Sequence, residues 1–281
     1  MLRTYKISQV AKDWKRNTWH PDHAKILILD IETAPVLAYV WRLFKENVGL
    51  DQIQGDWCIL SFAAKWLGDN KVYYYDQAKV ADIHDERVLL LALHAMLDEA
   101  DIVVAHNGRR FDLKKINARF LKAGMTPPSP YQIVDTLEIA KGAFAFTSNK
   151  LAYLTDHLNK DFKKLDHGQY PGFKLWAAVL AGDKRAWAEM RKYNEYDVLS
   201  LEETYLLLRP WDKRHPNVAV VSSGEDPVCP TCGGTHLHRR GYQHTNTGQY
   251  RRYSCGSCGS WSRSRYTLNS IGKRKSLLAK V

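Results

Sequence analysis

The segment Lys25-Ile-Leu-Ile-Leu-Asp-Ile-Glu-Thr33 decides the fold. It is a short apolar run with acids at positions 30 and 32, and such a run is typical of a buried central strand. Because residues i and i+2 of a strand share a face, Asp30 and Glu32 project together, about 6.6 Å apart along the strand. Two adjacent carboxylates in an apolar setting are costly without a cation, so the pair indicates a divalent metal. A strand that ends at the surface also exposes such acids, and the pair alone leaves both interpretations open.

Strand and helix patterns alternate after this segment. Apolar runs predict strands at 58–66, 71–75, 102–105 and 132–134, and helical periodicity predicts helices near 82–99, 111–123, 149–159, 174–181 and 184–208. Antiparallel strands followed by alternating helices and strands predict an α/β fold, in which helices cover a mixed sheet.

Two further acidic motifs lie on predicted helices. Asp112 ends the segment His106-Asn-Gly-Arg-Arg-Phe-Asp112 and would lie in a first helical turn, where the helix dipole favours an acid for structural reasons alone. Tyr193 and Asp197, in Tyr-Asn-Glu-Tyr-Asp, share one face of the long helix. That face continues as an apolar stripe toward the core, which is an unusual position for an acid without a partner.

Together the three segments resemble, in order and spacing, the motifs of the DEDDy group of proofreading-type 3′–5′ exonucleases. The matching elements are Asp-Ile-Glu-Thr at 30–33, Asn-x-x-x-Phe-Asp at 107–112 and Tyr-x-x-x-Asp at 193–197. The resemblance spans about residues 25–208 and implies an RNase H-like fold. Lys192 stands where a sister group carries histidine, so the tyrosine group is the match.

The resemblance implies a metal-dependent 3′–5′ exonuclease that acts on DNA or RNA. It implies two Mg²⁺ or Mn²⁺ ions, roughly 4 Å apart, held by four carboxylates, those of Asp30, Glu32, Asp112 and Asp197. Tyr193 would position the attacking water, while Thr33 and Asn107 would lie near the terminal nucleotide. Hard oxygen ligands suit these metals.

Two neighbouring polar residues are expected to be structural. Asp135-Thr-Leu-Glu138 has the spacing of a helix start, with Asp135 as the N-cap. We interpret His106 as a residue of the turn or a support for the site, because four carboxylates suffice for two hard metals.

Two Cys-x-x-Cys pairs predict a second metal site of another kind. The pair Cys229 and Cys232 is separated from the pair Cys255 and Cys258 by 22 intervening residues, a spacing that strongly indicates one structural Zn²⁺ in tetrahedral thiolate coordination. A glycine after each second cysteine permits the tight turn that closes each pair. The segment resembles a zinc ribbon, with a β-hairpin formed by residues 236–242 and 249–254.

The charge of the chain is uneven. Residues 210–281 carry twelve lysines and arginines against three acids, a net charge of +9, which leaves +2 for residues 1–209. A basic tail on a nearly neutral body favours nucleic acid as the partner, because cationic side chains displace the counterions that condense on it. We expect single-stranded DNA or 3′ ends, with RNA allowed.

These patterns predict five regions. They are a basic N-terminal extension (1–24), an RNase H-like exonuclease domain (25–208), a linker (209–225), a zinc ribbon (226–269) that we term the cysteine module, and a basic tail (270–281). Neither a signal sequence nor a membrane-spanning run is evident, so we expect a cytoplasmic protein without a membrane partner.

Two other functions stay open at this point. The same fold and metals serve endonucleases that cut at a structure or a flap, so fold alone does not decide the cutting mode. A non-catalytic nucleic-acid-binding or recruitment protein could use the domain as a scaffold, although a scaffold needs no such acidic set. The cysteine module could dock a protein instead of nucleic acid, and a proofreading role would require a replication or repair partner. The oligomeric state is not predicted.

Overall fold

The computed structural model describes residues 2–18, 23–165 and 168–278. Its first part, residues 2–208, is termed the main domain here and contains eight of the described strands: β1 (Leu2–Thr4), β2 (Ile26–Thr33), β3 (Leu37–Ala38), β4 (Ile53–Gly55), β5 (Ile59–Trp66), β6 (Lys71–Asp76), β7 (Ile102–Ala105) and β8 (Gln132–Asp135). Its described helices are α1 (Gln9–Thr18), α2 (Arg87–Glu99), α3 (Asp112–Lys122), α4 (Thr136–Ala143), α5 (Leu151–Leu158), α6 (Lys174–Leu180) and α7 (Lys184–Leu208).

Six strands form one mixed sheet in the order β1-β6-β5-β2-β7-β8, and β3 pairs with β4 separately. β2 runs antiparallel to β5 and parallel to β7, so it lies where the two halves of the sheet meet. The expected mixed sheet with helices is confirmed, and the architecture is RNase H-like. β2 is central because apolar side chains leave both of its faces.

Side chains on the two faces of β2 pack against different helices. Ile26 and Ile28 belong to the core formed with α7, whereas Leu27 and Leu29 pack in the core that includes α2 and α3. Burial of such a side chain stabilises the fold by about 1.5–3 kcal/mol. Since side chains alternate along a strand, Asp30 follows Ile28 toward α7.

The predicted helices are confirmed with shifted ends, and the largest shift is at α2. The expected helix at 82–99 begins only at Arg87. Glu86 precedes it, and its buried carboxylate accepts a hydrogen bond from Ile59 N at 2.6 Å and pairs with Arg119. Contacts with other elements therefore fix Glu86, which the periodicity placed inside the helix, just outside α2.

The N-terminal segment adds structure that periodicity did not predict. β1 pairs with β6 at the edge of the main sheet, and α1 packs beside α7. Trp14 packs against the core of the main domain and so fixes α1 to it.

The C-terminal part contains a second, three-stranded sheet with the order β11-β10-β9. Its elements are β9 (Leu237–His244), β10 (Gln249–Cys255), β11 (Trp261–Arg263) and α8 (Ile271–Ser276). The predicted hairpin is confirmed as the β9–β10 pair. The proposed linker includes two short 3₁₀ helices, Arg209–Trp211 and Val218–Val221, and Val218 is buried in the core of the main domain. The five boundaries stay predictions.

Candidate active site

Three of the four predicted carboxylates meet on the α7 side of the sheet. Oxygens of Asp30, Glu32 and Asp197 lie within 4.8 Å of one another. Asp30 and Glu32 leave the same face of β2, and Asp197 comes from the middle of α7, whose packing against β2 and β5 brings it there. Asp197 is buried, while Asp30 and Glu32 keep some solvent exposure.

Asp112 approaches this group from the first turn of α3. Its Oδ1 accepts a hydrogen bond from Ile31 N at 3.3 Å, so it lies against the strand segment between the two other acids. Asp112 is buried but does not belong to the 4.8 Å group. The expected set of four thus divides into a tight triad and one neighbour.

The electrostatics of the cluster are those of crowded carboxylates. Burial, followed by repulsion from Asp197, raises the pKa of Asp30 and raises the pKa of Glu32 to about 8. Burial raises the pKa of Asp112 to about 7 and also raises that of Asp197. The crowding costs free energy unless a cation is present.

Lys164 supplies part of that positive charge, and sequence reasoning missed it. Its Nζ pairs with Oδ2 of Asp197 and lies 4.3 Å from the centre of the Tyr193 ring. Burial acts to lower the pKa of Lys164, but the negative charge of Asp197 and its neighbours outweighs it and raises the pKa. Oδ1 of Asp197 is buried and has no hydrogen-bond partner in the described part of the chain.

Asn194 is the second residue that sequence reasoning missed. Its Nδ2 donates to Oδ2 of Asp30 at 2.5 Å, and its Oδ1 accepts from Ser61 Oγ at 3.2 Å. The amide therefore orients the Asp30 carboxylate from α7. Its place beside Tyr193 in the third motif was a signal that could have identified it.

Tyr193 lies one helical turn before Asp197, as expected. Its ring is buried and meets Trp176 edge-on, with ring centres 6.4 Å apart. Burial, together with the nearby Asp197, raises the pKa of Tyr193, so the phenol stays protonated at neutral pH. A neutral phenol can donate a hydrogen bond and orient water but is a poor base.

The two expected nucleotide contacts lie in different pockets. Thr33 lines a pocket beside the acids, of about 440 Å³, whose walls include Trp57, Lys115 and Trp176. Asn107 lines another pocket and has a positive φ of 69°, as the turn before α3 requires. The structure does not bring the two residues together.

The two residues expected to be structural make hydrogen bonds within the fold. Asp135 caps α4 by accepting a hydrogen bond from Leu137 N at 3.0 Å. The same carboxylate accepts from Asn107 N at 2.8 Å and so also holds the turn before α3. The ring of His106 contacts Thr136 Oγ1 at 2.9 Å and Asn149 O at 3.0 Å, and burial lowers the pKa of His106 to about 4.

The acidic cluster fits divalent metal ions. The donors are hard carboxylate oxygens, they repel one another, and one buried oxygen of Asp197 has no hydrogen-bond partner among the described residues. Mg²⁺ and Mn²⁺ select such oxygen ligands.

The four cysteines form a separate, closed centre. All four Sγ atoms lie within 4.8 Å of one another, and the distances Cys229–Cys258 and Cys232–Cys255 are 3.7 Å. A tetrahedron with Zn–S bonds of 2.3 Å has edges of about 3.8 Å, so the spacing fits zinc. Gly233 and Gly259 have φ of +74° and +79°, the left-handed conformation expected after each pair.

The comparisons with known proteins agree with this architecture. The family model of the RNase H superfamily matches residues 45–208, more than half of the chain, and the chain belongs to this superfamily. A DNA polymerase III of PolC type from Ureaplasma parvum serovar 3 (strain ATCC 700970) is 29% identical over 135 residues, which are 45% of this chain and 8% of the relative. The chain thus spans a small part of that polymerase.

A solved structure is also similar. The family B DNA polymerase from the hyperthermophilic archaeon Pyrobaculum calidifontis matches with 14% identity and a TM-score of 0.45, over 67% of this chain and 25% of that chain. Separately, none of the described helices is both long and apolar enough to cross a membrane.

Proposed function

We propose that this chain is a metal-dependent 3′–5′ exonuclease that hydrolyses phosphodiester bonds of DNA or RNA. The observation that carries the proposal is the triad of Asp30, Glu32 and Asp197, whose oxygens lie within 4.8 Å, with Tyr193 one turn away on the same helix face. Membership of the RNase H superfamily supports a nuclease with nucleic acid as its substrate.

In this proposal the carboxylates of Asp30, Glu32, Asp112 and Asp197 hold two Mg²⁺ or Mn²⁺ ions. Bound there, the ions would supply activation of water and stabilisation of the charge on the leaving 3′-oxygen. Asn194 holds the Asp30 carboxylate in place through its amide. Tyr193 donates a hydrogen bond that orients the attacking water at the phosphorus.

The pocket lined by Thr33 is the proposed place for the terminal nucleotide. It lies next to the acids, and the ring of Trp176 on its wall suits a base. Lys115 lies 3.9 Å from the centre of the Trp57 ring, so this side of the pocket suits a phosphate. Asn107 lines a separate pocket with His106 and Asn149, and its proposed nucleotide contact is correspondingly less direct.

The cysteine module is proposed to bind zinc and to help hold nucleic acid. Arg239, Arg251 and Arg265 are exposed on it. Two of its aromatic faces are covered by its own arginines: Arg263 lies 3.9 Å from the centre of the Tyr250 ring, and Arg252 lies 4.8 Å from that of Trp261. Phosphate contacts are therefore favoured over base stacking at these two rings.

The test follows 5′-labelled single-stranded DNA and RNA with Mn²⁺ or Mg²⁺, and compares the wild type with Asp197→Asn. The exonuclease proposal expects a ladder of progressively shorter products that disappears in the variant. Asp226→Asn, an exposed acid outside the site, is the matched control and should cleave like the wild type.

A closed circular single strand separates the two cutting modes. An exonuclease leaves it intact because it has no 3′ end, whereas cleavage of the circle would support the endonuclease alternative. Absence of metal-dependent cleavage of every substrate would contradict both enzymatic functions and support a binding protein.

A further inference from the structure

The cysteine module is seated against the main domain. Trp14 of α1 packs both in the main core and against the cysteine cluster. Val218 N donates a hydrogen bond to Pro230 O at 2.9 Å, inside the first cysteine pair. A cleft of about 530 Å³ between the two parts is lined by Leu206 from one side and Cys258 from the other.

Arg209 lies at the base of this contact, immediately after the last residue of α7. It is 2% exposed, and its guanidinium carbon is 5.6 Å from the centre of the Trp14 ring and 5.4 Å from that of Tyr205. Its Nε and Nη1 have no hydrogen-bond partner in the described part of the chain. It also lines the cleft together with Cys258.

Lysine and arginine are buried at two other places among the described residues, and each of these cations has a carboxylate partner. Lys65 pairs with Glu202 at 2.6 Å, and Arg119 pairs with Glu86. For Arg209, no described carboxylate forms an ion pair. An uncompensated buried charge is strongly destabilising, so a partner of another kind is expected.

The zinc centre has the complementary charge. Four thiolates around one Zn²⁺ carry a net charge of about −2. The sulfurs accept hydrogen bonds from neutral donors: Ser260 Oγ lies 3.1 Å from Cys229 Sγ, and Gly234 N lies 3.4 Å from Cys232 Sγ. Because these donors are neutral, they do not compensate the net negative charge of the zinc centre.

Trp14 brings the cation and the cysteines together. Its ring centre lies 5.6 Å from the Arg209 guanidinium carbon, and the same side chain packs against the cysteine cluster. Arg209 and Cys258 also line one cleft.

We propose that the tetrathiolate zinc centre is the charge partner of Arg209, and that zinc loading thereby fixes the cysteine module to α1 and to the end of α7. The module is then a structural clamp on the helix that carries Tyr193 and Asp197, in addition to any contact with nucleic acid. This role does not depend on the chemistry at the acidic site.

Zinc affinity tests the proposal directly. Competition with a chromophoric chelator compares the full-length wild type with Arg209→Met, which keeps the bulk and removes the charge, and Arg209→Lys, which keeps the charge. Loss of an outer partner of a metal site typically costs about 10–100-fold in affinity. We expect such a loss in Arg209→Met and a smaller one in Arg209→Lys.

Two controls complete this experiment. Arg214→Met removes an exposed arginine of the same segment and should leave zinc affinity unchanged. Asp212→Asn removes the nearest acid along the chain and should also leave it unchanged. Wild-type affinity in Arg209→Met, or an equal loss in Arg214→Met, would overturn the proposal.

A second measurement uses the wild type alone and so does not depend on whether a variant folds. All the described α-helices except α8 belong to the main domain, so the α-helical circular dichroism signal reports that domain. We expect its Tm to fall by several degrees when zinc is removed, with no other divalent metal present in either sample. An unchanged helical Tm in zinc-free protein would contradict the clamp.

Discussion

The acidic cluster and the cysteine cluster are two metal centres built on opposite principles. The acids come from β2, α3 and α7, which are distant in sequence, and two of them, Asp30 and Glu32, are only partly buried. The cysteines come from two local turns of the chain, and four thiolates complete one tetrahedron. In the first centre the folded domain holds mutually repelling carboxylates together. The second centre has almost no hydrophobic core of its own without metal. The partly accessible acidic centre is therefore suited to chemistry, whereas the cysteine centre, with all four positions filled by thiolates, is suited to a structural role.

The largest effect is expected at the acidic centre, where one substitution should lower activity and raise the stability of the metal-free protein. Glu32→Gln should lower cleavage on the order of 10³-fold, because it removes one ligand of a cooperative set. The same change should raise the Tm of the metal-free protein, because it removes a carboxylate whose pKa is raised to about 8 by burial and repulsion. Cleavage rates and thermal melts of purified protein measure both, with Glu225→Gln as the exposed control. A lower Tm together with full activity would mean that Glu32 has only a structural role.

A smaller effect is expected at the phenol. Tyr193→Phe keeps the ring against Trp176 and removes the hydroxyl, so metal binding should persist while kcat falls by roughly 10–100-fold. Mn²⁺ titration measures metal binding, and single-turnover rates measure the chemical step. Unchanged kcat would remove Tyr193 from the proposed chemistry.

The acidic cluster should also make stability depend on pH in a defined direction. The pKa values of Glu32 and Asp112 are raised to about 8 and about 7. A carboxyl group with a raised folded-state pKa contributes stability below its unfolded pKa and loses it as pH rises through the folded value. The Tm of metal-free protein should therefore fall between about pH 4 and about pH 8.

Metal binding should reverse this loss. Mn²⁺ should raise the Tm more at pH 8 than at about pH 5, because at low pH the ligands must first release protons. Thermal melts at both pH values, with Glu32→Gln as the reference, measure the difference. An equal Mn²⁺ effect at both values would contradict the crowded-carboxylate account.

The smallest effect is expected on the surface of the cysteine module. Arg239→Gln should weaken binding to single-stranded DNA only modestly and reduce the slope of log affinity against log salt by about 0.7, as the loss of one phosphate contact does. Lys79→Gln on the main domain is the matched control. If neither changes the slope, the module faces a protein and not nucleic acid.

Much of this architecture could be predicted from the sequence, because the signals are local. The run around Asp30 has the composition of a buried strand, and the i, i+4 spacing of Tyr193 and Asp197 defines a helix face. The cysteine pairs carry their own turn glycines. Each of these features depends on residues that are close in the chain.

The rest depends on tertiary contacts without a local pattern. Lys164 precedes Asp197 by 33 residues and lies outside any helix or strand, so no periodicity connects it to the site. Arg209 follows a helix and looks like an ordinary basic end residue until its burial between two rings is seen. β1 is only three residues long and gains its stability from pairing with β6.

The difference between the two centres is tested most directly by anomalous X-ray scattering from crystals of the zinc-loaded chain soaked in Mn²⁺. Two manganese peaks, roughly 4 Å apart, are expected at the carboxylates of Asp30, Glu32, Asp112 and Asp197, and a single zinc peak is expected among the four cysteines. Absence of manganese from the acids, or zinc at both centres alike, would contradict this expectation.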